Sequence, residues 1–288
     1  MSESPTLAEA SLRNISDTAR WSAVHRAIES ERPDAFFRDP FARRLAGERG
    51  EQILKALTIS DKEEWSWVAR TYVFDRFITR QIEQGADMVI NIAAGLDARP
   101  YRMPLPATLQ WIEVDLPAIL NYKEEILADE KPVCRLERLR LDLSNASARR
   151  DAFAELDRRA RKALLITEGF LVYLAREEAA ALARDFALPK SFQSWAFDVM
   201  SPGLVRMLTK RLGAELERAG APFKFGPPEG PGFFVPHGWK PVEVHSFLKT
   251  AAKLKRLPFL LRLLALLPES KGAQGSRPWA GACLFTKA

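Results

Sequence analysis

The chain has 288 residues, 47% of them apolar, with a formal net charge of +6, which suits one large soluble domain and excludes a disordered or fibrous chain. Two cysteines far apart and three scattered histidines exclude a disulfide framework and a zinc site with ligand spacing. The densest basic cluster, Arg149-Arg150, Arg158-Arg159 and Arg161-Lys162, has no interleaved aromatics and reads as a solvated helix face, so nucleic acid is not an expected partner.

Residues from Met1 to about Ser16 read as a polar arm without the apolar stretch of a signal peptide. Together with reduced thiols, this arm points to a cytoplasmic protein. Ser16 or Asp17 is placed to cap a helix over Thr18–Glu31, which Arg32-Pro33-Asp34 stops. Phe36-Phe37-Arg38-Asp39-Pro40-Phe41 reads as an aromatic turn, and helices are expected over Glu48–Leu57 and Lys62–Glu83. The last of these carries Val68, Ala69, Val73, Phe77 and Ile78 at helical spacing. Residues 1–85 thus form an all-helical N-terminal cap.

From Asp87 the pattern changes to alternating strands and helices, the mark of a parallel α/β sheet. Seven strands are expected: Met88–Ile92, Leu109–Val114, Leu136–Arg140, Ala163–Thr167, Ser194–Met200, Pro241–His245 and Ala280–Thr286. Helices are expected at Arg99–Met103, Pro117–Glu130, Ala146–Lys162, Arg176–Ala187 and Gly203–Ala219. The Pro/Gly-rich stretch Pro222–Trp239 reads as a loop packed over a site, so that 203–239 forms a lid insertion in a second domain over 86–288. Leu257–Leu267 is apolar nearly all round. It is too short to span a membrane and reads as a buried helix or cap element.

Four strand ends carry the chemistry. The first strand breaks into Ala93-Ala94-Gly95, small residues that let a ligand lie against the backbone. The second ends in Glu113-Val114-Asp115, a carboxylate about twenty residues after the glycine, where ribose hydroxyls are met in nucleotide-binding folds. The third runs into Asp142-Leu143 and the fourth into Glu168-Gly169. Any one of these acids has a local alternative, since Asp142 suits a capping turn and Asp115-Leu116-Pro117 a helix start. As a row they disfavour a pyrophosphate, and no G-x-G-x-x-G spacing is present to cradle one. A nucleoside with a positive centre and no phosphate, such as S-adenosylmethionine, fits the row.

Several pieces come in order between Thr18 and about Ala187: Thr18-Ala19-Arg20, Glu31-Arg32-Pro33-Asp34 with Arg38-Asp39-Pro40, Val68-Ala69-Arg70, Asn91 through Arg99, Glu113-Val114-Asp115-Leu116-Pro117, Asp142-Leu143, and Thr167 through Tyr173. Through them the chain resembles the leucine carboxyl methyltransferase-like family of S-adenosylmethionine-dependent O-methyltransferases. The resemblance implies a Rossmann-like, seven-stranded, mostly parallel sheet with helices on both faces. It also implies site roles. Arg70 would pair with the methionine carboxylate, and Ala93 and Gly95 would pass beneath that moiety. Asp115 would take the ribose hydroxyls, with Glu113 as second choice. Asp142 would accept from the adenine amino group, and Leu143 would offer backbone contacts. Glu168 would lie near the methionine end, and Tyr173 would line the acceptor side; these two are the catalytic candidates. The family usually has Gly-Ala-Gly at the turn. Ala93 replaces the first glycine, on the expectation that only a small side chain is needed there.

The expected partner is a small-molecule acceptor with a carboxylate or phenol, as in secondary metabolism, handled by a monomer or homodimer. A protein C-terminal carboxylate and a non-catalytic cofactor-binding module are the alternatives. His25, His237 and His245 read as surface or core residues rather than as a base. Trp21, Phe36, Phe37, Phe233, Phe234 and Trp239 are candidates for an apolar acceptor wall, and equally for core packing.

Overall fold

The computed structural model describes residues 12–56, 64–267, 275 and 277–288. The expected N-terminal arm therefore falls mostly outside the described residues. Three helices come first: α1 (Ile15–Glu31), α2 (Ala42–Ala56) and α3 (Glu64–Glu83). The cap of α1 is Asn14, whose Oδ1 accepts from Asp17 N at 3.2 Å, and not Ser16 or Asp17. Asp17 sits in the first turn, where a carboxylate suits the helix dipole, and binds Arg49 Nη2 at 2.7 Å. The helix α2 begins earlier than its apolar pattern suggests and is kinked at Gly47, whose φ of 60° favours glycine.

The rest alternates: β1 (Met88–Ile92), α4 (Arg99–Arg102), β2 (Gln110–Asp115), α5 (Pro117–Ile126), β3 (Arg135–Arg140), α6 (Ala146–Arg159), β4 (Ala163–Thr167), α7 (Arg176–Ala187), β5 (Phe192–Met200), α8 (Pro202–Arg218), β6 (Trp239–Ser246), α9 (Phe247–Lys253), α10 (Phe259–Ala265) and β7 (Ala280–Lys287). The seven expected strands are all present, β1 and β4 with the expected bounds and the others with ends moved by at most two residues. They form one sheet in the order β3-β2-β1-β4-β5-β7-β6. The first five strands run parallel, and β7 is antiparallel to both β5 and β6. The order reverses direction at β1, between β2 and β4, which is where an open α/β sheet leaves a crevice at its strand ends.

Both faces of the sheet are covered. On one, Ile90, Leu165, Trp195 and Phe197 pack against Phe153 of α6 and Phe186 of α7. On the other, Val89, Trp111, Leu164 and Ile166 pack against Val73, Phe74 and Phe77 of α3 and Phe247 of α9. The spacing that makes α3 amphipathic thus buries it on the sheet itself. It is one of the covering layers, and a boundary at residue 85 would cut through that layer. Full burial of side chains this size favours folding by about 1.5–3 kcal/mol each.

Three expectations about exposure are corrected. Arg149 is not on a solvated face: it is buried, with Nε donating to Asp185 at 3.0 Å and its Nη1 to the Leu143 carbonyl. The Pro/Gly-rich stretch is not a loop over a site along its length. Residues Gly230–His237 form a 3₁₀ turn whose Phe234 packs on Trp195 with ring centroids 4.7 Å apart, so Phe233, Phe234 and Trp239 belong to the core. Finally, α10 is not buried: Phe259, Leu260 and Leu263 are 73%, 76% and 56% exposed.

Candidate active site

The β1 turn is held by its neighbours. Ala93 has φ of +54° and Gly95 has φ of +48°. The expectation that Ala93 needs only to be small is therefore corrected: it sits in the left-handed region, where a Cβ costs about 1–2 kcal/mol. Gly95 N donates to Asp115 Oδ2 at 2.7 Å, and Leu116 N donates to Asp115 Oδ1 at 2.7 Å. Both carboxylate oxygens keep lone pairs for a further donor, and burial raises the Asp115 pKa from its ordinary value. A Cβ on Gly95 would lie 3.3 Å from Ala19 Cβ of α1, so the turn and the first helix close on each other here.

A charged lattice lies beside the turn. Arg70 of α3 donates through Nε to Glu168 Oε1 at 3.1 Å and through Nη2 to Ser22 Oγ at 3.1 Å, while Nη1 stands 3.7 Å from Asp198. Gly169 is what lets the guanidinium in: its φ is +67°, and a Cβ there would come 3.1 Å from Arg70 Nη1. Arg99 is buried against Asp75 at 2.6 Å and Asp97 at 2.8 Å. Its Nη1 is also 2.8 Å from Glu168 Oε2, though outside hydrogen-bond geometry. The charges of Arg99, Lys123 and Arg102 overcome the burial of Asp97 and hold its carboxyl well below the usual range. Asp198 goes the other way: burial raises it in spite of Arg70.

Above this floor opens a cavity of about 1460 Å³. Clefts for a single drug-sized ligand run to roughly 300–1,000 Å³, so this one has room for two molecules. Arg70, Ala93, Gly95, Asp115, Asp142, Leu143, Glu168 and Tyr173 all line it. The wall away from the sheet edge is apolar, built from Trp21 of α1, Trp67 of α3, Leu208 and Leu212 of α8, and Phe223. Tyr173 packs on Phe223 with centroids 5.6 Å apart, and burial raises its hydroxyl pKa. His25 lies behind this wall, 2% exposed and stacked on Trp67 at 4.3 Å, with neither ring nitrogen hydrogen-bonded. Burial, then the Arg70 charge, lowers its pKa to about 3.

The model of the family described as leucine carboxyl methyltransferase matches residues 19–187. The chain belongs to the leucine carboxyl methyltransferase family. A Frankia alni protein provisionally named an S-adenosyl-L-methionine-dependent methyltransferase is 29% identical over 83% of this chain and 88% of its own length. A second such protein, from a Parafrankia species, is 33% identical over 59% of this chain and 58% of its own length. Two solved structures share the fold: a duf574 family protein from Streptomyces avermitilis (TM-score 0.58, 15% identity, 98% of this chain and 100% of that one) and a provisionally named methyltransferase from Thermobifida fusca (TM-score 0.59, 15% identity, 98% and 97%). This member of the leucine carboxyl methyltransferase family is thus an S-adenosylmethionine-dependent methyltransferase on a Rossmann-like sheet.

The residues suit that cofactor. Asp115 has two open acceptor positions at the end of β2, and the left-handed turn at 93–95 leaves the backbone bare. Glu113 does not line the cavity. It is fully buried away from the cavity, paired with Lys123 Nζ at 2.6 Å and Arg138 Nε at 2.9 Å, so a ribose in the cavity does not reach it. Of the six aromatics considered for the acceptor wall, Trp21 alone lines the cavity; Phe36 and Phe37 face Tyr72 and Arg102 instead. Sequence reasoning missed Asp198, although a single acid in the apolar run Phe192–Met200 was a signal. It also missed Trp67, whereas Phe223 and most of α8 fall within the expected lid insertion over 203–239.

Proposed function

We propose that this chain methylates an oxygen of a small apolar acceptor, in the first place a carboxylate and in the second a phenol. The observation that carries the reading is an apolar compartment, open to the charged floor, whose described aromatic wall offers no ready proton acceptor. Tyr173 holds its proton more tightly than a free phenol, and His25 is shielded behind Trp21 and Trp67. A carboxylate is already ionised at neutral pH and needs no base, whereas a phenol would benefit from one. The family's description, leucine carboxyl methyltransferase, points the same way.

S-adenosylmethionine, when bound, supplies an electrophilic methyl on a sulfonium. Asp115 accepts from the ribose hydroxyls and Asp142 from the adenine amino group, with backbone contacts from Leu143. Arg70 pairs with the amino-acid carboxylate through donors that Glu168 and Ser22 leave free. Glu168 and Asp198 balance the positive charge at that end. Trp21, Trp67, Tyr173 and Phe223 orient the acceptor and exclude water, which is most of what an in-line transfer requires. Two free, buried cysteines accord with a reducing, cytoplasmic setting.

Transfer of tritiated methyl to a panel of long-chain and aryl carboxylic acids, matched phenols and C-terminal leucine peptides tests the reading. Base-labile methyl esters on the small acids are expected. Transfer to phenols alone would select the second acceptor class, and transfer to peptides alone, or to none of the panel, would overturn the reading. The Asp115→Asn variant is expected to bind S-adenosylmethionine about 10–100-fold more weakly by calorimetry, the worth of a charged hydrogen bond. An unchanged affinity would place the ribose elsewhere.

A further inference from the structure

The exposed face of α10 lies at the mouth of the cavity, away from the charged floor and the aromatic wall just described. Leu261 and Ala265 pack down onto the layer formed by α3 and α9. Around them Phe259, Leu260, Leu263, Leu264, Leu266 and Leu267 are all more than half exposed. Contiguous apolar surface of this kind marks a binding face. Several of these residues, Phe259, Leu260, Leu264 and Leu267, also line the large cavity, so the face is continuous with its mouth.

We propose that α10 and the cations beside it dock on an anionic lipid surface. Charge is what selects this occupant. From residue 244 to residue 267 the sequence has five basic residues and no carboxylate. Arg256 is taken up by Glu29 and Asp34, but Lys253, Lys255 and Arg262 are exposed. On the other wall of the cavity, α8 adds exposed Arg206 and Lys210 beside Met207, which is exposed and lines the cavity. A second copy of the chain would bring like charges face to face across this patch, whereas acidic headgroups complement it. At seven residues α10 is about 10 Å long. It can lie in the plane of the interface with its leucines among the acyl chains but cannot cross. Among the described residues no helix is long and apolar enough to span a membrane. An apolar acid dissolved in the bilayer would then reach the cavity without passing through water; this last consequence rests on the proposed function, and the docking does not.

The test is flotation of the whole chain with vesicles of phosphatidylcholine containing 30% phosphatidylglycerol, against vesicles of phosphatidylcholine alone. Binding to the anionic vesicles is expected, weakened by 0.5 M salt. Lys253→Glu with Lys255→Glu should lower the partition coefficient by at least about five-fold per lysine. Leu263→Ser and Leu266→Ser together, at exposed positions that do not line the cavity, should abolish binding, while circular dichroism and S-adenosylmethionine affinity stay unchanged. Failure to bind the anionic vesicles, or binding that neither set of variants alters, would overturn the proposal. So would a stable dimer in gel filtration that only the leucine substitutions dissolve. Methyl transfer to soluble acids, measured in parallel without vesicles, keeps the two readings apart, because either can fail while the other holds.

Discussion

Ala93 shows how a single position can be legible in kind and not in conformation. Its neighbours, a buried strand before it and Ala94-Gly95 after it, mark a tight turn in the sequence. Whether the first small residue takes an ordinary or a left-handed φ depends on how the strands around it diverge, which local sequence does not encode. The observed φ of +54° means that the Cβ is tolerated at a cost. Ala93→Gly should remove about 1–2 kcal/mol of backbone strain, less about 0.5–1 kcal/mol of extra unfolded-chain entropy. A small net gain in urea stability with undiminished cofactor affinity is expected. Ala93→Val, β-branched in the same region, should be clearly destabilised. Loss of stability in the glycine variant would contradict the strain reading. The strand end at Asp115 is more legible, because its position one residue before a Leu-Pro helix start fixes where the strand must end.

Among the elements, β2 shows what period-two reasoning can and cannot separate. Glu113 and Asp115 project on the same side of the strand, so alternation does not distinguish them. Depth does: Asp115 is at the open edge, whereas Glu113 is one step back beneath the helical layer, where Lys123 of α5 and Arg138 of β3 enclose it. Lys123 is itself fully buried. Glu113→Gln would leave that ammonium without its counter-charge, and breaking a buried pair in this way costs about 3–5 kcal/mol. Denaturant melts should show a loss of that order. Folded Glu113→Gln protein should retain cofactor affinity, which a ribose ligand would not, and Lys123→Met in the same chain should recover part of the stability. The helix α10 was misread for a related reason. An all-apolar run looks the same whether its far side meets a core or faces outward, and only tertiary packing decides.

At the scale of the molecule, the strand count, the mostly parallel sheet and the row of acidic strand ends were legible from periodicity and turn residues. The cavity was not, since its apolar wall joins α1, α3, α8 and residue 223, segments far apart in sequence. The same wall couples global stability to pH through His25. In the folded state its pKa is lowered to about 3, against an ordinary value of 6.5. Between those values the unfolded chain binds the extra proton. The contribution is therefore complete above pH 6.5 and declines as pH falls toward 3, by up to about 1.4 kcal/mol per pH unit. His25→Phe should flatten this slope between pH 6.5 and 5 in denaturant titrations while keeping the stack on Trp67. An unchanged slope would assign the acid sensitivity to other groups.

The placement of β7 has a consequence for the order in which the molecule is assembled. Its ladders run to β5 on one side and β6 on the other, and among the described residues β6 pairs with no other strand. During synthesis β6 emerges before β7 exists, so until residues 280–287 arrive it lacks the strand that joins it to the sheet, and β5 is an open edge. The buried Trp239 at the start of β6 and Phe285 in β7 would be among the last large side chains to leave water. Closure of this half of the sheet is then a late event of long sequence separation, and in that interval the nascent chain depends most on having no neighbour to pair with.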